Sequence, residues 1–405
     1  MRRLHWLAAL TAACSLSQAA QNPAPAAIDA GQSVAPVPSP ALIARTREER
    51  ERAYRAAHHI VLNVVVTDAS GNPVRGLSQD NFTILDNQQP QTIASFQAGQ
   101  ADSAGRPVRA TLLLDGVNNS SRNAGSERRE VEKFLSQNQG RLASPVAVAV
   151  LSSSGITRSQ PSQDGNVLIA ELKTYARELN PSSCADEVDT ADSVASTAGG
   201  AAVNPDGEAV LKTENLMSKL GDCENRRFKH SIAQLNHFAK QQAAAPGRVL
   251  LIWIGPGWPE LSGPEFRADT PGSRQAFFDY LVDLSTSLRE AQVTLSAVGA
   301  QQIQRRAEPR AQPVKASFTP TTEDEASARS LALPVLAQLT GGRVMERGAP
   351  VSAAIAACIA DAESSYVLSF DSAPAAKPGE YHSLDVKVSK AGLTVRTTPA
   401  YYAEP

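Results

Sequence analysis

The chain has 405 residues, with 39 basic and 41 acidic side chains and a net charge of −2. That balance lacks the basic excess that nucleic-acid binding uses, and it is not the composition of an acidic solvating tail. Apolar residues make up 42%, enough for ordinary cores, and the length allows about two or three domains.

Met1-Arg2-Arg3 is a short positive region, Leu4 to Ala13 is apolar apart from His5 and Thr11, and Ser17 and Ala19 are small residues suited to cleavage near Ala19 or Ala20. This is the plan of a secretory signal peptide over residues 1–20, and it implies an exported protein, whether periplasmic, cell-surface or secreted. The apolar run is shorter than the roughly 20 residues a membrane span needs, and no later stretch reaches that length. Thr11-Ala12-Ala13-Cys14 has the spacing of a bacterial lipoprotein cleavage box, with Thr11 where Leu is usual, so Cys14 is a candidate lipid anchor. Export makes disulfides the expected state of cysteine pairs. Cys184 and Cys223 lie in one polar insert and are expected to pair, whereas Cys358, in the apolar run from Ala353, is expected to be a buried free thiol. No cysteine pair has zinc spacing.

Residues 21–57 read as a linker rich in Pro, Ala and Gln, followed by a polar helix of mixed charge that includes Arg45, Arg47, Glu48 and Glu49. A small β domain is expected over 58–100. Ile60, Leu62, Val64 and Val66 share one strand face, with Asn63 and Thr67 on the other. Ser70-Gly71-Asn72-Pro73 is a turn, Phe82 and Ile84 repeat the alternation, and Ile93 to Phe96 gives another short strand.

Over 107–364 the rhythm becomes strand, helix, strand, helix. Ala110 to Leu114, Pro145 to Leu151, Val249 to Ile254 and Val293 to Val298 are nearly continuous apolar strands. Helices are expected from Ser126, from Asp164, over Leu211 to Gln242, through Phe277, Leu281, Leu284 and Leu288, and through Leu331 to Leu339. Residues 181–207 and 301–325 read as loops. Such a series implies an α/β fold, a doubly wound and mainly parallel sheet with helices on both faces and right-handed crossovers. Its ligand crevice should lie at the carboxyl ends of the strands, here from Asp115, Ser152 and Gly255 onward. Residues 365–405 return to short strands, at Tyr366 to Phe370, Leu384 to Val388 and Leu393 to Thr397.

Several segments, in order, are similar to the exported, acidobacterial type of the bacterial von Willebrand factor A-related domain family. Val65-Val66-Thr67-Asp68 with Gly71, Pro73-Val74 and Gly76-Leu77 resembles its opening β segment, and Leu112-Leu113-Leu114-Asp115 its first A-domain strand. Ile254-Gly255-Pro256-Gly257-Trp258-Pro259, Leu339-Thr340-Gly341-Gly342-Arg343 and Ser365-Tyr366-Val367-Leu368 resemble later landmarks, and Ala400-Tyr401-Tyr402-Ala403 its ending. The resemblance implies a Rossmann-like A-type domain between small β segments at both ends.

It also implies a place for a divalent cation, held in A-type domains by Asp-x-Ser-x-Ser after the first strand and completed by a Thr and an Asp from other loops. Here the run is Asp115-Gly116-Val117-Asn118-Asn119-Ser120-Ser121, with Val117 and Asn119 in place of the two serines, and Gly255-Pro256-Gly257 stands where the second Asp is expected. Two anionic ligands become one, and a neutral amide binds a hard cation less strongly than a carboxylate. On one reading Asp115, Asn119 and Ser121 keep a weak Mg²⁺ site. On the other, which we adopt as the expectation, Asp115 hydrogen-bonds its own loop and no cofactor is held. The crevice of Asp115, Asn118, Asn119, Ser120 and Trp258 would then take a protein partner without metal. For Trp258 the competing expectation is packing against the neighbouring β segment.

Other chemistry is thin. There is no Gly-x-Ser-x-Gly elbow and no phosphate-binding loop. His230 and His237 have no acidic partner nearby in sequence and read as surface or packed side chains, and Ser152-Ser153-Ser154-Gly155 reads as a loop. The expectation is therefore a non-enzymatic interaction module with no nucleic-acid partner. The alternatives are a cation-dependent adhesion protein with a modified ligand set and an envelope hydrolase with an unrecognised site.

Overall fold

Ile60, Leu62 and Val64 alternate in sequence and are fully buried on one face of the first strand. In the computed structural model the described residues are 54, 58–98, 108–175, 184, 205–244, 247–258, 270–300, 319–346, 348 and 350–405. They belong to one unit, Glu51–Pro405. The expected signal peptide, the Cys14 anchor, the linker and all of the polar helix except Tyr54 lie outside the described residues.

The strands are β1 (His59–Thr67), β2 (Phe82–Asp86), β3 (Gln89–Gln91), β4 (Ser95–Ala98), β5 (Arg109–Asp115), β6 (Arg141–Ser152), β7 (Gly155–Arg158), β8 (Ser162–Asp164), β9 (Val249–Ile254), β10 (Val293–Ala300), β11 (Val344–Glu346), β12 (Tyr366–Asp371), β13 (Glu380–Val388), β14 (Thr394–Arg396) and β15 (Ala400–Ala403). The α-helices are α1 (Ser121–Leu135), α2 (Gly165–Tyr175), α3 (Pro205–Ala243), α4 (Pro271–Glu290), α5 (Leu333–Leu339) and α6 (Val351–Ser364).

The central layer is a seven-stranded sheet in the order β11-β10-β9-β5-β6-β7, with β8 also paired to β6. The strands from β11 to β6 run parallel, and only β7 and β8 are antiparallel. Successive strand residues point to opposite faces. Leu112, Leu114, Ile252 and Ile254 therefore meet α1, α2 and α6 on one side, while Leu113, Leu251, Trp253 and Leu295 meet α3, α4 and α5 on the other. An apolar strand without alternation is what burial on both faces requires. The sequence thus anticipates an α/β layer with a mainly parallel sheet. It does not anticipate the β7–β8 addition: Ser152 to Gly155, expected as a plain loop, is the tight turn of a hairpin.

Helix starts follow their caps. Ser120 Oγ accepts from Asn123 N at 3.3 Å, so α1 begins earlier than the expected Ser126. Thr270 Oγ1 accepts from Ser273 N at 3.1 Å, with Pro271 in the first turn of α4. Asp164 Oδ1 accepts from Asn166 N at 2.9 Å at the start of α2. α3 begins at Pro205, inside the stretch expected to be loop.

The two terminal β segments, read from the sequence as separate, interleave. β1 pairs with β12 and β14, and β13 pairs with β2 and β15. The result is two four-stranded sheets, β14-β1-β12-β4 and β15-β13-β2-β3. Both contribute to one core, with Ile60, Leu62, Ile84, Tyr366, Leu368, Phe370, Val386 and Tyr401 among its members. The outer side of β1 is held to the parallel sheet. Arg248 Nη1 donates to Asn63 Oδ1 at 3.1 Å and to Ser365 Oγ at 2.7 Å. Arg343 and Arg396 both bond Asp361 of α6, and Arg396 Nη1 also donates to the Gly341 carbonyl at 3.1 Å.

Cys184 and Cys223 form the expected disulfide, with Cα atoms 5.8 Å apart. Cys358 is a buried free thiol, and burial pushes its pKa up to about 11. Among the described residues no helix is long and apolar enough to cross a membrane.

Candidate functional site

The carboxyl ends of β5, β6 and β9 meet around Asp115, the last residue of β5. Gly116 N donates to the Leu151 carbonyl at 2.9 Å, which fixes this end of β5 against β6. The chain then turns sharply into α1, and the turn is closed by the Asp115 side chain itself. Asp115 Oδ1 accepts from Val117 N at 3.0 Å and from Asn118 N at 2.9 Å. Asn118 Nδ2 donates to Oδ1 at 3.2 Å and to Oδ2 at 3.0 Å. The remaining contact comes from the sheet: Trp253 Nε1 donates to Oδ2 at 3.0 Å.

Asp115 is 1% exposed. Burial raises its carboxyl pKa, and the Asn118, Trp253 and Val117 hydrogen bonds oppose that rise. Four donor atoms, Val117 N, Asn118 N, Asn118 Nδ2 and Trp253 Nε1, surround the two oxygens, with Nδ2 shared between them. Gly255 closes the site from the other side. Its φ is 144°, and a Cβ built there would lie 2.6 Å from Asp115 Cβ. The position where a second acidic ligand is expected therefore has no room for any side chain.

Asn119 is also buried. Its Nδ2 donates to Glu127 Oε2 at 2.5 Å, and its Oδ1 accepts from Ser120 N at 3.0 Å. Ser120 is spent as the cap of α1 and is exposed, and the Ser121 side chain lies outside the described residues. Among the described residues no three His, Cys, Asp or Glu side chains gather where they could hold an ion. Asp115 and Asn119, two of the three residues expected to hold Mg²⁺, spend their oxygens on protein donors in this arrangement, whereas Mg²⁺ needs open oxygen donors in octahedral array.

Trp258, expected to line the crevice or to pack on the neighbouring β segment, is buried in a hydrophobic layer that also holds Ala400 and Tyr402 of β15. It is 5% exposed, its Nε1 donates to the Leu331 carbonyl at 3.0 Å, and its ring meets Trp253 and Phe228 edge-on at 5.5 and 6.3 Å. A large ring beside a glycine-rich turn gains more from this core than from solvent. The crevice residues thus separate: Asp115, Asn118, Asn119 and Ser120 come together, and Trp258 belongs to the hydrophobic layer beneath them.

α3 lies beside this turn. Ser231 Oγ accepts from Asn118 Nδ2 at 2.9 Å, and His230 Nε2 donates to the Ser152 carbonyl at 2.8 Å. His237 faces outward and contacts Gln241, so the two histidines share no ligand. Ser152 Oγ is tied to Ser154 Oγ at 2.8 Å and to the Gly155 carbonyl at 3.2 Å, not to His230. No serine–imidazole nucleophile pair is formed at this edge. Glu127, Trp253 and Ser231 were not expected from the sequence to be site residues. Glu127 had one signal, a carboxylate in the early turns of a helix, where the amide dipole favours it.

No family model matches the chain, and no curated protein does. Among solved structures the chain is similar to the human COPII-coat protein Sec24c at 10% identity and a TM-score of 0.27, over 76% of this chain and 44% of that one. The chain therefore spans less than half the length of that structure, and the likeness is too slight to bear on fold or activity.

Proposed function

We propose that the chain is an exported, non-enzymatic protein-interaction module. On this reading it is built on a von Willebrand A-like domain whose cation position has become an internal hydrogen-bond network. The observation that carries the reading is Asp115: its carboxylate is filled by Val117, Asn118 and Trp253 donors, and Gly255 lies against its Cβ. A cation-dependent crevice needs open oxygens and a second anionic ligand; here Asn118 is turned inward onto Asp115 and Ser231, and the exposed Ser120 and Ser153–Ser154 turn are what a partner loop would meet. The Cys184–Cys223 disulfide supports export, since such bonds persist in oxidising compartments.

Thermal unfolding of the chain with increasing Mg²⁺ or Mn²⁺ tests the reading. A ligand that binds only the folded state raises the melting temperature, and no rise is expected here. A saturable rise that disappears in Asp115→Ala would replace this reading with cation-dependent adhesion. Turnover of ester, peptide or glycoside substrates that survives Asp115→Ala would replace it with a hydrolase.

A further inference from the structure

α3 and α4 lie side by side on one face of the parallel sheet and share a core with Leu251, Trp253 and Leu295. Both run against the strand direction. His230 of α3 meets the carboxyl end of β6, and the helix ends shortly before β9 begins. α4 links β9 to its parallel neighbour β10.

Their outward faces carry opposite charge. On α3, Arg226, Lys229, Ala233, His237 and Lys240 are exposed in one stripe, opposite the buried Phe228, Ile232 and Leu235, and the basic stretch begins one turn after exposed Asp222. No acidic residue occurs anywhere from Asn225 to Pro259. On α4, Asp279, Asp283 and Glu290 are exposed, opposite the buried Phe278, Leu281, Leu284 and Leu288. The spacing matches as well as the sign. The same eleven-residue step separates Lys229 from Lys240 and Asp279 from Glu290, about 16 Å of helix in each case. Lys229, Lys240 and Asp283 make no ion pair among the described residues. Tyr280, 60% exposed, adds an apolar ring beside the acidic stripe, and exposed Ala233 and Ala276 let a facing helix approach.

Two parallel neighbouring helices of opposite charge form a self-complementary surface. A two-fold axis parallel to the helices and midway between them lays α3 of one copy over α4 of the other, and the reverse, while keeping each residue at its own height along the axis. The basic stripe of α3 then faces the acidic stripe of α4 on the second copy, twice over. We propose that this face is an interaction surface whose occupant is a second copy of this chain, forming a symmetric, salt-sensitive dimer. It uses a surface separate from the Asp115 crevice and does not depend on the function proposed for that crevice.

Sedimentation velocity of the full chain at about 50 and about 500 mM NaCl tests this, because the screening length shortens severalfold across that range. A dimer is expected at low salt, with a dissociation constant that rises on the order of tenfold at high salt. Lys229→Glu/Lys240→Glu makes both helices acidic, and Asp279→Lys/Glu290→Lys makes both basic; each variant alone is expected to be monomeric. An equimolar mixture of the two should dimerise again, since every helix then faces its opposite. A parent chain that is monomeric at low salt, a variant that dimerises alone, or a mixture that stays monomeric overturns the proposal. If a variant fails to fold, the salt dependence of the parent chain decides it.

Discussion

Replacing Trp253 by phenylalanine removes one N–H from the centre of the Asp115 network and little else. The residue is fully buried in β9, between Leu113 on β5 and Ala297 on β10, and phenylalanine keeps a ring against Trp258. The lost bond is one from a neutral donor to a buried carboxylate, a class worth about 1.5–3 kcal/mol. The smaller ring leaves a gap that costs about 1 kcal/mol more, so the expected loss is about 2.5–4 kcal/mol at neutral pH. Urea unfolding monitored by far-UV circular dichroism measures it as a fall in midpoint at unchanged slope.

The pH dependence separates the two contributions. Burial raises the Asp115 pKa above its ordinary value of 3.8, so the ionised group costs stability at neutral pH, and that cost vanishes once both folded and unfolded states are protonated. The Trp253 bond favours the ionised form. Its loss is therefore felt in full above the folded pKa and shrinks as pH falls through it, leaving only the packing cost. A loss below about 1 kcal/mol at neutral pH, or one that is unchanged on acidification, would refute the view that this bond holds a buried charge. A double-mutant cycle with Asp115→Ala should recover a coupling of about 1.5–3 kcal/mol.

Gly255→Ala should be destabilising by about 3 kcal/mol or more, since the new methyl meets Asp115 Cβ at 2.6 Å on a backbone of positive φ; a thermal melt matching the parent would contradict the close approach. Breaking the Cys184–Cys223 bond as Cys184→Ser/Cys223→Ser opens a loop of 39 residues and should cost about 4 kcal/mol on the chain-entropy account, read from unfolding midpoints of the variant against the parent. Asp361→Ala leaves Arg343 and Arg396 facing each other without the carboxylate they share. Because both arginines are about 30% exposed, the expected loss is roughly 2–3 kcal/mol, less than for a fully buried pair, and added salt should reduce it.

The parallel layer was legible because its strands are short unbroken apolar runs and its helices carry apolar residues at helical spacing. Val249 to Ile254 could hardly be anything but a strand buried on both sides. The disulfide was legible from two cysteines in one polar insert. The hairpin of β7 and β8 was not, because Gly155 to Arg158 offers a single apolar side chain and the turn before it is all serine and glycine. The joining of the terminal β segments was hidden for a different reason: pairing between strands so distant leaves no local mark on either. The site divides in the same way. Asp115 and its turn residues are adjacent in sequence and were found together. The donor that completes the network lies 138 residues away on another strand, and nothing near Trp253 announces that its indole faces a carboxylate. For Trp258 the sequence left two readings, a crevice anchor and a packed ring, because an aromatic beside Pro and Gly suits either until the residues beneath it are known; it is buried.

The interleaved termini bear on how the chain is made. His59 and Asp371 bond across β1 and β12 although 312 residues separate them. At ordinary rates of synthesis, β1 would wait on the order of 15–60 s for the strand that flanks it. During that interval the apolar row from Ile60 to Val66 has only the early part of its core, Leu77, Phe82 and Ile84, to lie against, and its unpaired edges are a template for any other extended segment nearby. A ribosome that stops before residue 366 leaves a product with that row partly uncovered and both edges of β1 unpaired. Premature termination in this protein should therefore yield aggregates and not soluble fragments.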